Sequence, residues 1–171
     1  MESECIIWLN EVREVFPGLD KKIILTEYKK IVGRGLGYVK ARIGQEINFN
    51  AEAFILGTNS KIRKKRAMPK EFYIYINNKL QEIKNPELRR EIAQFIMIHE
   101  LLHIEQKDLI TLSKQYSRRK KKKIHINSFE NEVFERYNQL RERKNLPRIK
   151  EESQLKLAIS KILDSINFNK K

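Results

Sequence analysis

What the chain has little of narrows what it can be. Among 171 residues there is one cysteine, Cys5, so an intramolecular disulfide and a thiol-rich metal site are both excluded. A lone cysteine also suits a reducing compartment. No apolar run approaches the roughly 20 residues that a membrane span requires. The most apolar stretch, Phe95 to Ile104, is broken by two histidines and a glutamate. The patch from Cys5 to Leu9 is too short for the core of a signal peptide. These absences lead to the expectation of a soluble, cytoplasmic protein that does not engage membranes. Acidic residues are a minority as well, 22 against 36 Lys and Arg, for a net charge of +14. Such a field favours acidic partners, nucleic acid among them, without naming one.

What is present suffices for a folded core. The length suits one domain over residues 1–171, and 40% of residues are hydrophobic and 9% aromatic, which argues against wholesale disorder. Apolar residues from Ile6 to Phe16 recur at helical spacing and stop at Pro17-Gly18. From Lys22 to about Leu56 the pattern turns β-like, with Ile23-Ile24-Leu25, Gly37-Tyr38-Val39 and Ile47-Asn48-Phe49-Asn50 as short runs. Gly33, Gly35 and Gly37 read as turn punctuation, since the spacing lacks the ending of a phosphate loop. Glu71 to Asn77 is the clearest strand, and Asn85-Pro86-Glu87 writes a helix start with a capping side chain, a first-turn proline and an acid. Further helices are expected over about 128–143 and 151–166, divided by Leu146-Pro147. Strands come early and helices late, so the expected class is α+β. Within the one domain, 1–84 form a helix and sheet, 85–145 the two central helices, and 146–171 a C-terminal helix.

His99-Glu100-Leu101-Leu102-His103 is the informative pentapeptide. Two histidines four apart on a helix stand about 6 Å apart along its axis and project from one face. Two neutral imidazoles so placed can grip one Zn²⁺, and the adjoining glutamate can take a proton from a water on the metal. That is the apparatus of zinc-dependent peptide hydrolysis. With only three histidines in the chain, chance would produce this pentapeptide on the order of once in a hundred such sequences. Burying these groups without partners would cost several kcal/mol, roughly.

A third ligand must come from elsewhere. The longer motif with a histidine six residues on fails, because Leu109 stands there. Candidates are Glu130, Glu132, Glu135 and His125. At about 100° per residue, Phe129, Val133, Phe134, Tyr137 and Leu140 define an apolar face. Glu130 lies roughly 45° from its centre, whereas Glu132 and Glu135 point to solvent. Glu130 is thus the inward carboxylate, either a metal ligand or a capping partner of Asn127. His125, after a lysine run, stays as the alternative.

H99-E-L-L-H103, the Tyr/Ile-rich strand before it and a helical glutamate after it together resemble a gluzincin metallopeptidase. In size the chain is most similar to the compact archaeal minigluzincins. The resemblance implies a zincin-like fold and a zinc metalloendopeptidase acting on peptides or proteins. It implies His99, His103 and Glu130 as zinc ligands and Glu100 as general base. It further implies that the strand Glu71 to Asn77 forms the cleft edge and that a donor faces the metal. Tyr137, seven residues after Glu130, is the candidate donor, with core packing as its other reading. Phe134 stands where many relatives carry an Asp or Asn.

Two basic runs complete the sequence, Lys61 to Arg66 and Arg118 to Lys123. Like charges in series repel, so each reads as a solvated connector or as an attachment point for nucleic acid. Two other functions therefore stand beside the peptidase. One is a nucleic-acid-associated protease resembling the SprT-like group, whose third ligand is a histidine; the other is a catalytically silent zinc-binding module.

Overall fold

The computed structural model describes residues 3–31, 35–42, 71–106 and 127–166. The expected strand at Ile47, both basic runs and His125 lie outside them. Helix α1 spans Glu4–Arg13 and is followed by a short 3-10 turn, Pro17–Leu19. Strands β1 (Ile23–Lys29), β2 (Gly37–Arg42) and β3 (Glu71–Asn77) come next. Helices α2 (Pro86–Gln106), α3 (Asn127–Arg143) and α4 (Glu152–Ser165) complete the order. The architecture is α+β, with four helices and a three-stranded mixed sheet among the described residues.

The sheet order is β1-β3-β2, with β1 parallel and β2 antiparallel to β3. This corrects one expectation. The strand Glu71–Asn77 is not a cleft edge but the central strand, hydrogen-bonded on both sides. Its alternation explains the place. Phe72, Ile74 and Ile76 are all buried, on the face where α1 and α2 pack, and a strand with a fully apolar inner row is best used in the middle of a sheet.

Side-chain amides and guanidinium groups fix the connections. The Arg13 guanidinium donates to the carbonyls of Leu19, Asp20 and Lys22 at 3.0–3.2 Å, tying the turn after α1 to the start of β1. Buried Asn77 donates to the Gly35 carbonyl (2.8 Å) and accepts from the Lys79 amide (3.1 Å), so the end of β3 holds the entrance to β2. Asn85 caps α2, accepting from the Leu88 amide at 3.2 Å. Between α3 and α4, buried Asn138 exchanges two hydrogen bonds with the Ile149 backbone, at 2.8 and 3.1 Å.

Candidate metal centre

Helix α2 is apolar almost all round because it passes between the sheet and α3. Ile92, Met97, Leu101 and Ile104 are buried along its length, and Glu100 and His103 are buried with them, at 8% and 7% exposure. Charged and imidazole groups are rarely enclosed to this degree without a chemical or ionic role. The four-residue spacing brings His99 and His103 onto one face, where their Nε2 atoms approach to 3.2 Å and their rings stand nearly perpendicular, at 76°. At this separation one Nε2–H can donate to the other Nε2, or both nitrogens can share a cation. Zinc–nitrogen bonds of about 2.0–2.1 Å in a tetrahedron place two ligand nitrogens roughly 3.3 Å apart. The pair therefore fits the edge of such a site.

Phe129, the first buried residue of α3, lies against both imidazoles. Its ring is stacked on His103 (centroids 4.6 Å, 27°) and edge-on to His99 (5.1 Å, 76°). The ring restricts how far either histidine can rotate. Glu100 points towards the sheet. A Cβ built on Gly37, the first residue of β2, would lie 3.9 Å from Glu100 Oε1, and only 2.6 Å from Ile96 Cγ2 and 2.9 Å from the Tyr75 carbonyl oxygen. Glycine is thus required for β2 to approach α2 beside the carboxylate.

The other residues singled out in the sequence fall in different places. Phe129, Val133, Tyr137 and Leu140 are buried against α2, as the helical wheel expects. Glu130, half-buried, is not joined to the histidines. Its carboxylate accepts from Lys156 Nζ of α4 at 3.1 Å, and the same ammonium meets Glu152 at 2.5 Å. The contacts with Glu152 first, and then Glu130, raise the Lys156 pKa. Among the described residues no group of three His, Cys, Asp or Glu side chains is arranged to hold a metal ion. Glu132 pairs with Arg136 (2.9 Å) and Glu135 with Arg148 (2.7 Å).

Tyr137 stands further along the helix pair. Its ring packs edge-on against Phe95 at 5.4 Å, and Arg141 lies 5.9 Å from the ring centre. Burial pushes its hydroxyl up to about 12, the Glu91 carboxylate adding to the rise. Phe95 and Glu91 precede His99 by four and eight residues, so Tyr137 faces the first half of α2 rather than the histidine pair. Ile92, Phe95 and Ile96 of α2 line a cavity of about 210 Å³ together with Leu36, Lys156 and Leu163.

Three residues that shape the site carried no sequence signal of their own. Gly37 read as a turn glycine and Phe129 as a core residue, and Lys156 was not singled out at all. Each matters through a neighbour distant in sequence. Set against known protein families, curated proteins and solved structures, the chain matches none.

Proposed function

We propose that the chain is a zincin-like, zinc-dependent metallopeptidase, with His99 and His103 as two of its metal ligands and Glu100 as general base. The convergence of the two Nε2 atoms to 3.2 Å beside a buried carboxylate carries this reading. A bound divalent ion supplies a Lewis acid for the peptide carbonyl and makes water acidic enough to lose a proton near neutral pH. Glu100 accepts that proton on its carboxylate and returns it to the leaving amine, so its enclosure between α2 and Gly37 keeps it positioned for both transfers. Phe129 holds the imidazoles in one orientation, and the cavity lined by Ile92, Phe95 and Ile96 suits an apolar side chain of the substrate.

Glu130 serves as third ligand in this reading once Lys156 releases it, and Tyr137 remains a donor only if α3 shifts along α2. The engagement of Glu130 by Lys156 favours a second possibility for that ligand, His125, as in the SprT-like arrangement. Zinc content and peptide cleavage of the purified chain test the proposal. Stoichiometric zinc that is lost in His99→Ala and His103→Ala, with cleavage lost but zinc kept in Glu100→Gln, is the expected pattern. Loss of zinc in Glu130→Ala or in His125→Ala names the third ligand. Zinc binding without cleavage of any peptide library would leave the silent module, and wild-type cleavage by Glu100→Gln would end the mechanism.

A further inference from the structure

The sheet has two outer strands, and their side chains differ in kind. Among the described residues β1 and β2 each pair on one side only, with β3 between them. An unpaired edge offers backbone N–H and C=O groups to any extended chain, and charged side chains commonly guard it. On β2 that guard is in place. Its row facing away from α1 and α2 is Tyr38, Lys40 and Arg42, so a second β2 laid antiparallel along it brings cation against cation. On β1 the same face carries Ile23 and Leu25, 52% and 43% exposed. The order of residues there is the informative feature. Read from the turn before the strand, the row runs Lys21, Ile23, Leu25, Glu27, all four exposed. A cation, two apolar residues and an anion in that order complement themselves when the direction is reversed.

We propose that two copies of the chain pair edge to edge through β1, antiparallel across a two-fold axis at Ile24, joining their sheets into one. In that register Lys21 of each copy meets Glu27 of the other, and Ile23 of each meets Leu25 of the other. The neighbouring registers lose this match. A slip of two residues one way sets Leu25 against Leu25, Ile23 against Glu27 and Lys21 against Lys29. A slip of two the other way sets Ile23 against Ile23 and Lys21 against Leu25. A slip of one turns the row against the opposite face. Charge complementarity therefore selects a second copy as the occupant, since each charged side chain of the row finds its counterpart in the same row reversed. A two-fold contact of this kind uses one patch on both partners, and the antiparallel ladder supplies the backbone bonds. The inference goes beyond the metal and peptide cleavage: Glu100 lies beside β2, and β1 is on the other side of β3.

Sedimentation velocity of the full chain, over a concentration series up to about 0.3 mM because a contact of this size is weak, tests the proposal. The wild type is expected to dimerise. Lys21→Glu and Glu27→Lys change exposed side chains, and each sets like charges together twice in the dimer. Either alone should weaken association by about tenfold. Leu25→Lys should weaken it as well, by placing an ammonium against Ile23 of the second copy. The decisive arm is an equimolar mixture of the Lys21→Glu and Glu27→Lys chains. Both ion pairs re-form between unlike chains, so association should return to near the wild-type level although each variant alone is mostly monomeric. A wild-type chain that stays monomeric throughout the series would overturn the proposal. So would a dimer indifferent to both charge reversals, or a mixture that associates no better than its components.

Discussion

In the first half of α2, polar groups gather into a cluster of donors facing acceptors; in the second half, beside the Glu105–Arg136 pair at 3.2 Å, two imidazoles meet each other. Arg90 donates to Glu11 of α1 at 2.5 and 3.2 Å, Gln94 donates to the same carboxylate at 2.5 Å, and Lys144, just past the end of α3, reaches Glu11 at 2.8 Å and Gln94 at 2.7 Å. Nearby, Arg141 pairs with Glu91 at 3.0 Å. Every member of that cluster is a donor facing an acceptor, and it spans three helices, which is what a structural clamp requires. Two turns on, His99 and His103 bring nitrogen to nitrogen. Such a pair can be joined by one N–H donated from ring to ring and, in the proposed reading, by a shared ion. In the proposed reading, the contrast separates stability from chemistry along one helix.

Breaking each half separately sharpens the distinction. The largest effect is expected from Glu100→Gln, where kcat should fall by roughly 10²–10⁴ with zinc content and melting temperature unchanged. Next, Gly37→Ala forces a methyl into Ile96 and the Tyr75 carbonyl. It should cost about 2–3 kcal/mol in urea unfolding and lower activity by displacing Glu100. Glu11→Ala should remove about 2 kcal/mol of stability while zinc affinity stays within twofold, and loss of zinc in that variant would erase the division between the two halves.

The same carboxylate predicts a pH signature. Burial works against its ionisation, but hydrogen bonds from Arg90 and Lys144 outweigh that and hold it below its ordinary value of 4.5. A depressed folded-state pKa stabilises the fold above the unfolded value, and that contribution is lost as pH falls from about 4.5 through the lower folded value. Acid unfolding followed by circular dichroism should therefore be steeper in the wild type than in Glu11→Gln below pH 4.5. The smallest effect belongs to Lys156→Met. It removes a half-exposed pair and should change stability by less than about 1 kcal/mol, while tightening zinc binding if Glu130 is the third ligand.

Local signals in the sequence carried far. The cap at Asn85, the first-turn proline and the apolar spacing made α2 legible from its start to His103, and the alternation from Glu71 to Asn77 marked β3. The wheel over Phe129 to Leu140 picked the buried face of α3 and put Glu132 and Glu135 on the other side. What escaped was pairwise and distant. That β3 is central depends on β1 joining in parallel register from 48 residues away, Ile23 to Glu71, and no periodicity encodes such pairing. The fate of Glu130 was decided by Lys156, 26 residues later. A wheel gives the direction of a side chain and says nothing of what meets it.

The strand order bears on how the chain can be assembled. β1 and β2 precede β3 but share no ladder, and among the described residues each is joined only to the strand between them. The segment up to Arg42 therefore holds two of the three described strands, which do not pair with each other. Pairing must wait for residues 71–77, and both ladders then form about a single late arrival. Its insertion should limit the rate of folding. Slowing synthesis ahead of residue 71 would prolong the interval in which two unpaired, partly apolar strands are open to aggregation.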